Sequence, residues 1–240
     1  MNSRINTHLA VDEAVRLMFA DPEWNFKLGI GCLINGGACA LLLVNIILLP
    51  ISFCLWSLVA GYVIMTTNAK VDNPHSKLPV WTNYLDLLIG GGIWIAVSVL
   101  HFAIFLLIVF LSLLIGEMTG LDNVLTVTFL FWALATWTFV ILAAAAFSFT
   151  SLFLMVNFAT KQNIAAAFAI KEVFNKLRRQ PKRMLEAWLI QLGLLYVATI
   201  IPVLTVLGVF LLPSTIFFAQ LIGCCILSQA WRESDQKEDG

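Results

Sequence analysis

Very few side chains in this sequence have the chemistry for a reaction. One that does, His101, is the ninth residue of the apolar run Ile93 to Ile115. An ionisable group at membrane depth is a functional candidate by default. This imidazole could relay protons, or it could hydrogen-bond an amide on a neighbouring helix such as Gln191 or Gln220. Asn35, Asn45, Gln191 and Gln220 are further polar residues within long apolar runs, and with His101 they could line a path for a small solute. No second His, Asp or Glu lies at comparable depth in the sequence, so a structural hydrogen-bonding role is the stronger expectation for His101.

The patterns that mark enzymes are missing from the chain. There is no HExxH, no GxSxG and no CxxC, and Gly90-Gly91-Gly92 is not followed by the Lys-Ser/Thr of a phosphate loop. The five cysteines, Cys32, Cys39, Cys54, Cys224 and Cys225, fall inside apolar runs with no His beside them. They read as small packing residues rather than a disulfide framework or a zinc site. Asp86 and Glu186 fall at the ends of apolar runs, where water solvates them. No catalytic residue, metal or cofactor is expected, and the chain reads as a non-enzyme.

The elements that hold these residues follow from composition. Of 240 residues, 60% are apolar and 12% charged, against roughly 45–50% and about 25% in a soluble domain. Bilayer is the natural solvent, and a formal net charge of zero gives no sign of a nucleic-acid partner. Asp12, Glu13, Asp21 and Glu23 occupy positions where a cleavable signal would need an apolar core, so none is expected at residues 1–27. Leu9 to Ala20 is amphipathic and suits a short interfacial helix ended by Asp21-Pro22.

About 20 apolar residues cross a bilayer, and six such runs can be drawn. They are Leu28–Leu49, Ile51–Thr67, Ile93–Ile115, Val124 to about Thr150 (continuing as helix toward Asn157), Leu185–Leu207 and Leu212–Ala230. The turn at Pro50 carries no charge, and Asn68–Trp81 is a polar loop. Asn83–Gly92 reads as an interfacial helix stopped by the three glycines, because a single helix from Leu87 to Ile115 would be too long for one span without strong tilt. Between the fourth and fifth runs lies KQNIAAAFAIKEVFNKLRRQPKR, with seven of the fourteen Lys and Arg residues of the chain. It predicts one amphipathic helix, capped by Asn163 and stopped by Pro181, lying on the membrane. Lys171, Lys176, Arg178, Arg179, Lys182 and Arg183 are its candidate contacts to anionic lipid headgroups.

With six spans, residues 1–27, the 68–86 loop, the 158–183 stretch and the 232–240 tail share one side. That side collects all fourteen cations. By the positive-inside rule both termini are expected to be cytoplasmic, and Trp24, Trp81, Trp188 and Trp231 fall where an interfacial belt would sit on the same side. Small residues at Cys32, Gly36 and Ala40, and at Ala144 and Ser148, predict close helix packing within the bundle. Pro202 and Pro213 could break helices around a solute, although prolines are common in membrane helices.

Several short motifs recur along this plan: Phe19-Ala20-Asp21-Pro22-Glu23-Trp24, then Lys27 and Gly31, Gly61-Tyr62, and Leu78-Pro79-Val80-Trp81 with Tyr84. With the basic helix and its proline before the last two spans, they resemble an uncharacterised family of bacterial and archaeal multi-pass membrane proteins, catalogued as a domain of unknown function. Asn83 stands where that family often has Asp. The resemblance implies a six-span plan in a prokaryotic membrane, either the cytoplasmic membrane or an intracytoplasmic one. It brings no activity with it.

The fold expected is therefore an all-α polytopic membrane bundle, a single domain of about six transmembrane helices with short interfacial helices. Its partners are the lipid bilayer, anionic headgroups and other membrane protein subunits. The preferred function is contact, as a scaffold, assembly factor or accessory subunit. The alternatives are a small transporter or channel component for a solute or proton and, more weakly, a lipid-modifying enzyme using His101. Convergence of the polar side chains on one water-connected cavity would favour transport, and separate pairings between helices would favour contact.

Overall fold

The computed structural model describes residues 11–118, 127–205 and 208–236, without side-chain detail at a few of them. It is an all-α polytopic membrane protein: among the described residues there is no strand, and six helices are long and apolar enough to cross a membrane. In chain order the helices are α1 (Val11–Phe19), α2 (Trp24–Val44), α3 (Leu49–Asp72), α4 (Tyr84–Met118), α5 (Val127–Lys161), α6 (Ile170–Arg179), α7 (Pro181–Val203) and α8 (Leu212–Gln236). The chain divides into two compact units, residues 1–95 with 153–240, and residues 96–152.

The first unit is organised around α8. Residues Leu221 to Ser228 are buried without a break, and a helix that is apolar all round belongs in the middle of its neighbours. It packs against α7, α3, α2, α1 and α6. Polar side chains tie it to three long neighbours. Asn35 of α2 donates to the Pro213 carbonyl at 2.7 Å, Ser228 donates to the Thr67 carbonyl of α3 at 3.1 Å, and Thr215 donates to the Ala198 carbonyl of α7 at 2.7 Å. Bonds of this kind are worth about 0.6–2 kcal/mol each between membrane helices, so they fix register more than they supply stability.

The turn between α2 and α3 follows from two residues. Asn45 is extended and its side-chain oxygen accepts from the Ile47 N–H at 2.9 Å, closing a short 3-10 turn at Ile46–Leu48. Pro50 then stands in the first turn of α3, where its missing N–H costs nothing.

Three expectations about the helices are corrected. The three glycines do not stop a helix: α4 is continuous for 35 residues, about 52 Å at ~1.5 Å per residue, so part of it lies beyond a hydrocarbon core of about 30 Å. A Cβ on Gly91 would overlap the Ser57 carbonyl and the Gly61 N–H, and one on Gly61 would overlap the Leu87 backbone. Gly61 and Gly91 let α3 and α4 touch backbone to backbone, and that packing outweighs their poor helix propensity.

The basic segment is not one helix either. Asn163 caps a separate 3-10 turn, Ile164–Phe168, and α6 starts only at Ile170. The Asn157 amide donates to the Ala166 carbonyl at 3.0 Å, the group that a continuous helix would offer to residue 170. Pro181 opens α7 rather than simply ending what precedes it, with Gln180 alone between α6 and α7.

On α2, the buried face runs through Lys27, Leu28, Gly31 and Ala38, with Gly31 flat against the Phe217 ring. The predicted stripe of Cys32, Gly36 and Ala40 lies one position round. Ala40 is exposed, and a Cβ on Gly36 would meet nothing within 4 Å. Cys32 and Gly36 are half-buried, so the stripe lies at the edge of the packed face rather than at its centre.

The second unit contains the remaining lengths of α4 and α5. Phe102, Phe105 and Phe147 form a ring cluster, with Phe105 and Phe147 stacked at 5.1 Å. Ser112, Thr138 and Thr150 return their hydroxyls to carbonyls four residues earlier at 2.7–2.8 Å, which leaves no hydroxyl proton seeking a partner in lipid.

A buried ion pair that gathers the sequence motifs

The motif residues scattered through the first 81 positions meet at one place in the first unit. Asp21 lies in the turn between α1 and α2 and is 2% exposed, and Lys27, one turn into α2, is 4% exposed. Their side chains bond at 2.8 Å. The same Asp21 oxygen accepts from the Leu78 N–H at 2.9 Å, and the other accepts from the Glu23 N–H at 2.9 Å. The Lys27 ammonium also donates to the Leu78 carbonyl at 2.8 Å. Both main-chain groups of Leu78 are thereby held by one ion pair.

Trp81 completes the fastening. Its indole N–H donates to the Lys27 carbonyl at 2.8 Å, and its ring stacks on Tyr62 at 4.1 Å with planes 3° apart. The Tyr62 hydroxyl donates to the Pro79 carbonyl at 3.0 Å. Asp21, Lys27, Tyr62 and the Leu78-Pro79-Val80-Trp81 segment thus clamp the loop after α3 onto the start of α2, while Gly31 packs on Phe217 and Gly61 on Leu87. Val80 and Tyr84 stay at the surface. Asn83 has a φ of 55°, a left-handed conformation that Asn and Asp enter more readily than other residues with a side chain, and its carbonyl accepts the first N–H bonds of α4.

Burial by itself would push the Asp21 carboxyl up. The Lys27 hydrogen bond, the Glu23 N–H, the Lys27 charge and the Leu78 N–H together outweigh burial and hold the group below the ordinary carboxylate value. Sequence reasoning took Asp21-Pro22 as a helix end and Lys27 as a topological charge, and missed that they pair. The available signal was an acid and a base six residues apart at the mouth of an apolar run, where neither could stay unpaired.

A second clamp involves the basic segment. Lys176, predicted to face headgroups, turns inward: it is 6% exposed, pairs with Asp235 of α8, and its ammonium sits 4.1 Å over the Trp231 ring. Arg183 bonds Glu233 at 3.3 Å and Glu186 at 3.5 Å, and the Gln180 amide donates to the Glu233 carbonyl at 2.8 Å. Lys161 pairs with Glu172 at 2.6 Å, and Glu172 also accepts from buried Asn157. Lys171, Arg178, Arg179 and Lys182 are exposed, with Lys182 at 4.0 Å from Glu186.

The five intramembrane polar candidates end in different places. Asn35 is spent on Pro213 and Asn45 on its own turn. Gln191 is buried with its amide against Gly223, filling the space that a side chain there would need. Gln220 is half-buried on α8, and His101 is half-buried on α4 in the second unit. Among the described residues no three His, Cys, Asp or Glu side chains form a group that could hold a metal, and all five cysteines are unbridged.

The model of a protein family of unknown function, DUF4013, matches residues 42–224. That span contains Gly61, Tyr62, Leu78 and Trp81 and starts after Asp21 and Lys27. No curated protein and no solved structure matches the chain.

Proposed function

We propose, on the premise that the chain belongs to the DUF4013 family of proteins of unknown function, that it works by contact and is not an enzyme. In this reading it is a scaffold, assembly factor or accessory subunit of a larger membrane complex. The observation that carries this is how the polar side chains of the first unit are used. Asn35 and Asn45 are each bonded to a different main-chain group, and Gln191 is packed against Gly223, so these side chains serve separate places between and within helices rather than the lining of one path.

The open stripe on α2 supports the same reading. Gly29, Gly36 and Gly37 have nothing within 4 Å of where a Cβ would lie, and small residues let another helix approach closely in lipid. Purification of the full chain in mild detergent, followed by identification of co-migrating subunits, tests the proposal. A stable, lone monomer would overturn it. His101→Phe is the companion measurement: loss of function without loss of fold would favour proton relay or catalysis instead.

The proposed location is a bacterial or archaeal cytoplasmic or intracytoplasmic membrane with both termini cytoplasmic, because all fourteen cations then share one side. Lys171, Arg178, Arg179 and Lys182 are the proposed contacts to anionic headgroups, with Lys176 and Arg183 spent on α8. Cysteine labelling that found positions 117 and 171 open to the same compartment would refute this topology.

A further inference from the structure

We infer that a small cavity where α3 and α8 end, roofed by α1, is a binding site for one phosphate group, either as a free anion or as the headgroup of an anionic lipid. The cavity has a volume of about 130 Å³ and lies within the first unit; Lys70, Arg232, Cys225, Gln229, His75 and Glu13 are among the residues that line it. A space of that size admits a group as small as phosphate.

The charges single this cavity out. Three described lysines are buried: Lys27, Lys70 and Lys176. Lys27 and Lys176 each have a carboxylate partner. Lys70 is 3% exposed, and its ammonium is held by neutral carbonyls, those of Ser76 at 2.5 Å and Pro74 at 3.3 Å. Arg232 lines the same cavity; it is half-buried, and its Nη1 is buried with no hydrogen-bond partner among the described groups.

Burying a cation is costly unless it is paired. Here two cations from different helices converge on one space, and the nearby acid, Glu13, is exposed and bonded to neither. The carbonyls that hold Lys70 fix its ammonium in place before any ligand arrives. A guanidinium offers a planar pair of N–H donors, and an ammonium a point charge, which is the combination that recognises phosphate oxygens.

The test uses the full chain in detergent. Inorganic phosphate is titrated by calorimetry, and in parallel the protein is bound to phosphatidylcholine bilayers with and without phosphatidic acid. The wild type is expected to bind at least one of the two probes: phosphate would identify a free-anion site, and phosphatidic acid alone a headgroup site. Arg232→Gln should weaken that binding about tenfold or more, as expected for losing a charge-assisted hydrogen bond. Glu13→Gln changes an exposed residue and is expected to fold normally; removing its repulsion should tighten binding by about two- to fivefold. Wild-type protein that binds neither probe, or binding unchanged in Arg232→Gln, would overturn the inference. If Arg232→Gln does not fold, unchanged binding in Glu13→Gln would overturn it instead.

Discussion

Replacing Asp21 by Asn removes one charge from the buried pair while keeping the side chain's size. At 2.8 Å, and with an effective dielectric of about 20, the gross attraction between the two charges is about 6 kcal/mol. Most of that repays the cost of taking both ions out of water, so the pair itself contributes little net stability. The variant is a different case, because Lys27 stays 4% exposed with its charge, and the carboxylate left near its ammonium is that of Glu23, at 3.6 Å and largely in solvent. Breaking one side of a buried pair costs about 3–5 kcal/mol. A chain of this size loses about 2–4 °C per kcal/mol, so the thermal midpoint in detergent should fall by about 6–20 °C. Fluorescence is a suitable readout, because Trp81 is held by Lys27 and stacked on Tyr62. Lys27→Met should cost a similar amount. The double variant should cost less than the two single effects added together, since it leaves no lone buried charge, only the two main-chain groups of Leu78 to be satisfied. A midpoint within about 2 °C of wild type for Asp21→Asn, or strict additivity in the double variant, would refute the idea that this pair fastens the loop.

The same carboxylate sets an acid limit. Its value is depressed in the folded state, so its contribution is fully present above the unfolded value of about 3.9 and is lost as pH falls through the lower folded value; stability measured against pH should show this limb, and Asp21→Asn should flatten it. Gly91→Ala places a methyl group on the Ser57 carbonyl; the crossing of α3 and α4 must open, at a cost of about 1–3 kcal/mol, measurable as a lower thermal midpoint. Among the basic residues, Lys171→Gln and Lys182→Gln should each weaken association with anionic bilayers by about 1 kcal/mol and leave the midpoint unchanged. Lys176→Gln should lower the midpoint, because its ammonium is engaged with Asp235 and Trp231.

Reading these residues in the sequence worked where the physics is local. Hydrophobic length marks the six long helices, and Pro50 marks the first turn, because each needs only neighbouring residues to act; Asn45, read as part of the first span, instead closes that turn. It failed where a distant contact decides. Gly90-Gly91-Gly92 looks like a stop until Ser57 and Gly61 are known to lie against it. Asn163 to Pro181 looks like one helix until Asn157 takes the carbonyl that would have continued it. The inward turn of Lys176 could not be read from helical periodicity, since its partners lie more than fifty residues further along the chain. The Asp21 and Lys27 site was visible as a pair of motifs, but its centre, the main chain of Leu78, carries no side-chain signal at all.

The placement of α8 also imposes an order of manufacture. During synthesis α2 and α3 reach the bilayer well before the helix they surround, and until it arrives the Asn35 amide has no Pro213 carbonyl to bond. A ribosome stalled before residue 212 would leave behind a half-built assembly with an open interior and an unmet amide, the sort of product that membrane proteases remove. Abundance in the cell should therefore respond to damage in α8 more sharply than to equal damage in the helices that precede it.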